Sequence, residues 1–163
     1  MGGKAEGGMR VSWQDGMKIA MEIIDELKKV PGVERVEIAG SLRRQKPDVG
    51  DVDLIVLVKD RVELDKKMTE WWGLQKNGKA KHSGLIKQVQ IDVNVADEEN
   101  FGGMWMFSTG SATLNIAQRA LAKTMGLKLN EKGLWKGEER VAGRTEEEIY
   151  EKLGIEWLSP EKR

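Results

Sequence analysis

Apolar residues recur at Met17, Ala20, Met21, Ile24 and Leu27, a spacing that predicts a helix over 13–29 with one buried stripe. Pro31-Gly32 stops it. Over 33–39, Val33, Arg35 and Glu37 alternate with Glu34, Val36 and Ile38, which predicts a strand. Residues 40–50 form a polar loop carrying Arg43, Arg44, Lys46 and Pro47. The run DVDLIVLV over 51–58 is apolar on both faces beyond Asp53, as a central strand requires. A helix over 61–72 follows, packed down by Trp71-Trp72, and Asn77-Gly78 marks a hairpin within 73–84. Residues 85–95 read as one strand, with Val89, Ile91, Val93 and Val95 on one face and Gln90, Asp92 and Asn94 on the other.

A second, smaller lobe starts near 96–103. The pattern of 111–125 predicts a helix with Leu114, Ala117 and Leu121 on its buried side and Gly126 as its stop. Residues 127–130 and 133–136 read as a short hairpin. Thr145-Glu146-Glu147-Glu148 has the form of a capping box, opening a helix that runs to Leu153 and ends at Gly154. Residues 1–9 are glycine-rich and are expected to be a disordered tail.

Composition narrows the chemistry. The chain has 163 residues, 27 Lys+Arg against 27 Asp+Glu, one His and no Cys. Disulfides, zinc–thiolate sites and cysteine nucleophiles are excluded, and His82 alone cannot make a histidine-rich metal site. No signal peptide or membrane-length apolar run is present, so a protein neither secreted nor membrane-bound is expected, in the cytoplasm or wherever the genome lies. Zero net charge gives no global attraction to nucleic acid, so local patches must supply any such grip.

Asp51 and Asp53 are two apart in a strand and therefore share a face. Like charges placed together are unfavourable unless a cation lies between them. Asp92 occupies a similar place in another strand. If the strands are neighbours, three carboxylates converge, a hard-oxygen set suited to Mg2+ or Mn2+ and to a two-cation mechanism. Water-exposed strand-end aspartates are the alternative. The preceding loop weighs against it. Gly40-Ser41 offers N–H groups and a hydroxyl to phosphate oxygens, arginine adds a planar fork, and Gly50 permits close backbone approach. Phosphate cradle followed by metal carboxylates is equipment for moving a phosphoryl or nucleotidyl group.

Gly40-Ser41-Leu42-Arg43-Arg44, followed by Val49-Gly50-Asp51-Val52-Asp53, resembles the signature of the family X DNA polymerases, the polymerase-β-like nucleotidyltransferases. Val89-Gln90-Ile91-Asp92-Val93 resembles the strand carrying their third metal aspartate, and Phe107-Ser108-Thr109-Gly110-Ser111 their aromatic Thr-Gly-Ser turn. Arg10-Val11-Ser12, Asn115, Arg119 and 129–150 agree in order. The resemblance implies an α+β fold: a palm at 10–98, with a mixed sheet and helices on one side, and a small α/β nucleotide-selecting lobe at 99–163.

It also implies roles. Asp51 and Asp53 would bind two Mg2+ ions, for which Mn2+ can substitute. Asp92 would bind the catalytic one and help activate the primer 3′-OH by deprotonation or positioning. Arg10, Gly40, Ser41, Arg44 and Gly50 would hold the triphosphate. Phe107, Ser108 and Gly110 would pack on sugar and base. Asn115 would reach the base edge and Arg119 the template strand. The expected activity is template-directed gap filling on gapped or primed DNA with nucleoside triphosphates. The competing reading is template-independent transfer to an RNA, protein or small-molecule hydroxyl. The family's usual lyase and helix-hairpin-helix domains find no room, so no usual lyase activity is expected, and a monomer aided by an accessory DNA-binding protein suits so small a chain. Lys76, Lys79, Lys81, His82 and Lys87 make one basic stretch, and Arg119, Lys123, Lys128, Lys132 and Lys136 another; each is a DNA grip or a solvated face. Ser108 replaces an aromatic residue, leaving more room at the sugar.

Overall fold

A computed structural model describes residues 8–73 and 80–163. Strand β1 (Val11–Ser12) leads into helix α1 (Trp13–Lys28), whose first turn is capped by the Ser12 hydroxyl accepting from the Asp15 N–H at 3.1 Å. Gly16, Ala20, Ile23, Ile24 and Leu27 form the buried arc of α1. Met21 falls outside that arc and is 46% exposed, contrary to the sequence expectation.

Strand β2 (Val33–Ala39) runs into the single-turn helix α2 (Gly40–Arg43). Strand β3 (Asp48–Val49) pairs with β1, and β4 (Asp51–Val58) and helix α3 (Val62–Trp72) follow. Strands β5 (Lys81–Ile86) and β6 (Val89–Ala96) complete a four-stranded sheet of order β2-β4-β6-β5. The β4–β6 pair is parallel and its neighbours are antiparallel. The sequence pattern predicts one strand through 85–95. The chain instead turns at Lys87-Gln88, both at positive φ (50° and 67°), the backbone that a two-residue hairpin needs. Neither residue is the Gly, Asn or Asp that normally announces such a turn. The expected Asn77-Gly78 hairpin lies outside the described residues.

Val52, Leu54, Val56, Ile91 and Val93 pack one sheet face against Ile23, Ile24 and Leu27 of α1 and Leu64 and Met68 of α3. The opposite face is covered in part. There Ala39, Ile55 and Ala96 meet Phe101, Met104 and Trp105 of helix α4 (Phe101–Thr109). The sequence reading missed α4 because its residues are apolar all round, which erases the amphipathic signal and marks a buried helix. Its glycines serve close packing, since a Cβ at Gly103 would lie 2.7 Å from the Gly133 nitrogen.

Helix α5 (Ala112–Thr124), strands β7 (Lys128–Asn130), β8 (Gly133–Lys136) and β9 (Glu139–Ala142), helix α6 (Glu146–Leu153) and a 3-10 turn at Pro160–Lys162 complete the chain. Met106, Ala122, Leu129, Leu134, Ile149 and Tyr150 form their core. On α5, Ala117 is exposed, while Gln118 and Ala122 are buried. Thr145 caps α6 as expected, but Glu148 Oε2 accepts from the N–H groups of Gly143 and Arg144 rather than closing the box on Thr145. Among the described residues no helix is long and apolar enough to cross a membrane.

Candidate active site

Register creates the acidic cluster. Asp53 lies opposite Asp92 across the parallel β4–β6 pair, and Asp51 opposite Gln90. All three carboxylates share the face that α4 leaves open beyond Ile55. One oxygen from each falls within 4.8 Å of the others. Burial, with the charges of Asp51 and Asp92, pushes the Asp53 carboxyl well above its ordinary range. Burial and Asp92 also raise Asp51. Asp92 is 3% exposed and is held by the Ser83 hydroxyl, which donates to Oδ1 at 2.6 Å, and by Gln90 Nε2 at 3.1 Å. Carboxylates so enclosed and so crowded fit a hard divalent cation.

The cradle stands beside it. Gly40 adopts φ 65°, and the Asp53 carboxylate occupies the space where a Cβ on residue 40 would project. Gly40→Ala therefore combines left-handed strain with a collision against a cluster carboxylate. It is expected to lower stability by about 1–3 kcal/mol and to weaken Mn2+ binding, measured by urea unfolding and ion titration. Ser41 is half-buried in α2. Arg44 Nη1 donates to the Thr109 carbonyl at 2.5 Å. Burial lowers the Arg44 guanidinium's pKa, opposed by Asp53 and Asp51, yet it stays a cation. Its buried Nε has no hydrogen-bond partner among the described residues, an unmet donor that suits an anionic oxygen. Arg10 is exposed, pairs with Asp48 at 2.8 Å, and passes so close to Gly50 that a Cβ there would lie 2.8 Å from its Nη1.

The far wall is the end of α4. Phe107 is 40% exposed and Ser108 half-buried. Gly110 ends the helix at φ 72°, and its peptide to Ser111 is cis. Asn115 Nδ2 donates to the Phe107 carbonyl at 2.9 Å, and Phe107, Asn115 and Arg119 line one small hollow. The structure thus brings Asp51, Asp53 and Asp92 together, with Gly40 against Asp53, Arg44 interacting with the charges of Asp53 and Asp51, and Arg10 against Gly50. Lys81 lies beside the cluster, its Nζ 3.6 Å from Asp92 Oδ2, and Lys79 falls outside the described residues.

Other findings depart from the sequence reading. His82 is not surface: it is 1% exposed, with Nε2 3.1 Å from Asp65 Oδ1 and 3.3 Å from Arg61 Nη2. Burial lowers its pKa against the pull of Asp65. Arg43 turns away from the cradle. Its Nη1 and Nη2 donate to Glu146 at 2.6 and 2.9 Å, and its guanidinium lies 3.8 Å from the Trp105 ring centroid. Arg163 forks the same carboxylate at 3.0 Å through both its Nη atoms, and Trp157 Nε1 adds 3.1 Å. Glu146 reads in sequence only as a residue of a helix cap, so no local signal reveals this junction. Ser83 had a weak one, as the residue opposite Asp92 once β5 and β6 pair.

Paired strands presenting three carboxylates beside Gly40-Ser41 form an arrangement suited to holding divalent cations next to a phosphate. Residues 10–132 match the DNA polymerase beta palm and residues 104–163 the DNA polymerase beta thumb. The chain belongs to the polymerase-β-like family X. It is 28% identical over 155 residues to the "DNA polymerase/3'-5' exonuclease PolX" of Bacillus subtilis (strain 168), covering 90% of this chain but 27% of that protein. It is 28% identical over 158 residues to the "Repair DNA polymerase X" of African swine fever virus (strain Badajoz 1971 Vero-adapted), covering 90% of each. The fold matches Leishmania infantum polymerase beta in a ternary P/T complex with TM-score 0.79 and 20% identity, over 96% of this chain and 77% of that one.

Proposed function

We propose that the chain is a template-directed DNA polymerase that extends a primer 3′-OH across short gaps. The observation that carries this reading is the convergence of Asp51, Asp53 and Asp92 within 4.8 Å beside Arg44, whose buried Nε has no partner among the described residues. Mg2+, or Mn2+ in its place, would be held by the three aspartates as two ions, supplying Lewis-acid stabilisation of the attacking and leaving oxygens. Ser41, Arg44, Arg10 and the backbone at Gly40 and Gly50 hold the triphosphate and orient its α-phosphorus toward the hydroxyl. Asp92, kept in place by Ser83 and Gln90, orients the 3′-OH. Phe107, Ser108 and Gly110 form the floor for sugar and base. Asn115 meets the base edge, and Arg119, one turn along α5, meets the template. The division of labour falls between 10–98, which carries the chemistry, and 99–163, which selects the nucleotide. Lysines of both basic stretches contact phosphate, so binding weakens steeply with salt.

The test is a duplex with a one-nucleotide gap, offered each nucleotide singly opposite each template base. Extension only by the complement supports the reading. Extension regardless of template moves the chain to the terminal transferases, and no extension sends the search to other acceptor hydroxyls. Ser108 gives the same assay a second readout. With a small residue on this floor, deoxyribonucleotides are expected to be preferred over ribonucleotides by about 10²-fold or less, since a loosely fitted pocket rejects an added hydroxyl weakly. A preference of several further orders of magnitude would contradict this.

A further inference from the structure

Asp92 treats its two oxygens differently. Oδ1 accepts from neutral donors, the Ser83 hydroxyl at 2.6 Å and Gln90 Nε2 at 3.1 Å. Oδ2, also 3.3 Å from Gln90 Nε2, faces a cation, with Lys81 Nζ at 3.6 Å. Lys81 comes from β5, an edge strand, where it lies opposite Asn94 while Ser83 lies opposite Asp92. Its side chain is 36% exposed and that of Asp92 only 4%, so the ammonium reaches in from the water margin of the site. The 3.6 Å separation is an ion pair without a short hydrogen bond. The charge of Lys81 also acts on Asp51 and Asp53. The lysine thereby partly neutralises a cluster that otherwise sets three carboxylates against one another.

A divalent cation among those carboxylates meets the ammonium as a like charge. The two compete for the electron density of Asp92. A lysine is a compact charge on a flexible stem, able to leave one anion for another without moving the backbone. In the reading given above, Lys81 belongs to a basic stretch that contacts the phosphates of bound DNA, which supplies the second anion.

We propose that Lys81 is an exchangeable counter-ion: it holds Asp92 while the site lacks its cation, and moves to a DNA phosphate when the cation enters. This rests on the reading of the cluster as the cation site of a polymerase. Exchange through one side chain makes the two ligands cooperative. DNA that captures Lys81 raises the affinity for the cation, and the cation raises the affinity for DNA by the same factor.

The experiment measures free Mn2+ by electron paramagnetic resonance, with and without a primed duplex ending in a dideoxynucleotide. Wild type is compared with Lys81→Met, which keeps the stem and removes the charge, and Lys81→Arg, which keeps the charge. Without DNA, Lys81→Met is expected to bind Mn2+ about three- to tenfold tighter than wild type, the size of effect one partly screened charge exerts at this distance. Lys81→Arg is expected to stay near wild type. The duplex is expected to tighten Mn2+ binding in wild type and to leave Lys81→Met almost unchanged. Mn2+ binding by Lys81→Met that is equal or weaker without DNA, or equal tightening by DNA in wild type and Lys81→Met, overturns the exchange while leaving the cation site intact. Asp51→Asn separates the deeper failure: if wild type holds Mn2+ no better than this variant, the cation reading falls and the exchange falls with it.

Discussion

Asp53→Asn is expected to lower single-turnover nucleotide addition by about 10³-fold or more, and at the same time to make the metal-free protein more resistant to heat. The first effect follows from losing a shared ligand, since bound metal ions contribute several kcal/mol of transition-state stabilisation. The second follows from the apo site. Burial and the charges of Asp51 and Asp92 hold the Asp53 carboxyl well above its unfolded value. A group raised in this way contributes its stability below the ordinary carboxylate range and loses that contribution as pH rises through its folded value. As pH rises and the crowded carboxyls ionise, the cluster therefore costs the metal-free fold stability. Thermal melts at pH 5 and pH 7 check this. The gain of Asp53→Asn over wild type should be larger at pH 7, and Mn2+ should raise the melting temperature of wild type alone. A variant less stable than metal-free wild type at pH 7 contradicts the account. Stability given up for activity in this way is what a functional carboxylate cluster entails.

Glu146→Ala is expected to be the most destabilising single truncation of a charged side chain, by about 3–5 kcal/mol, the range for breaking a buried ion pair. Glu146 is 1% exposed, between the guanidinium forks of Arg43, 11% exposed, and Arg163, fully enclosed. Burial alone would push its carboxyl up. Hydrogen bonds and charges from Arg43 and Arg163 outweigh that and hold it below the usual range. Removing it leaves two buried cations facing each other. The depressed group contributes stability above the ordinary carboxylate range and loses it as pH falls. The urea midpoint of wild type should therefore fall on acidification more than that of Glu146→Gln. Because Arg43 precedes Arg44 and also donates to Thr109 Oγ1 at 2.8 Å, the junction fixes the cradle against the end of α4. Nucleotide affinity should fall along with stability. A loss below 1 kcal/mol, measured by urea unfolding, would show that the junction is a surface bridge in effect.

Both predictions lean on contacts of different legibility. The cluster was readable because strand period and β-branched runs are local signals. DVDLIVLV declares a strand buried on both faces, and its period alone puts Asp51 beside Asp53. That Asp92 joins them depends on the parallel β4–β6 pairing, which no local pattern specifies; the sequence offers it only on the condition that the strands are neighbours, and as what the resemblance implies. Helix α4 was invisible because a uniformly apolar segment has no periodic contrast. The Lys87-Gln88 turn was invisible because its residues lack turn chemistry, and their positive φ is imposed by the pairing of β5 with β6. The Arg43–Glu146–Arg163 junction spans more than a hundred residues of sequence, and each member has an innocent local explanation. Lys81 was legible as a basic residue near a strand, but its approach to Asp92 depends on β5 lying at the edge beside β6.

The most direct test of the central claim counts cations. Mn2+ bound per chain would be measured with a matched nucleoside triphosphate and a gapped duplex whose primer ends in a dideoxynucleotide, for wild type, Asp51→Asn and Asp92→Asn. The account predicts two ions in wild type, with Asp51→Asn losing both and Asp92→Asn losing one. Ion binding that is absent in wild type, or unchanged in both variants, would contradict it.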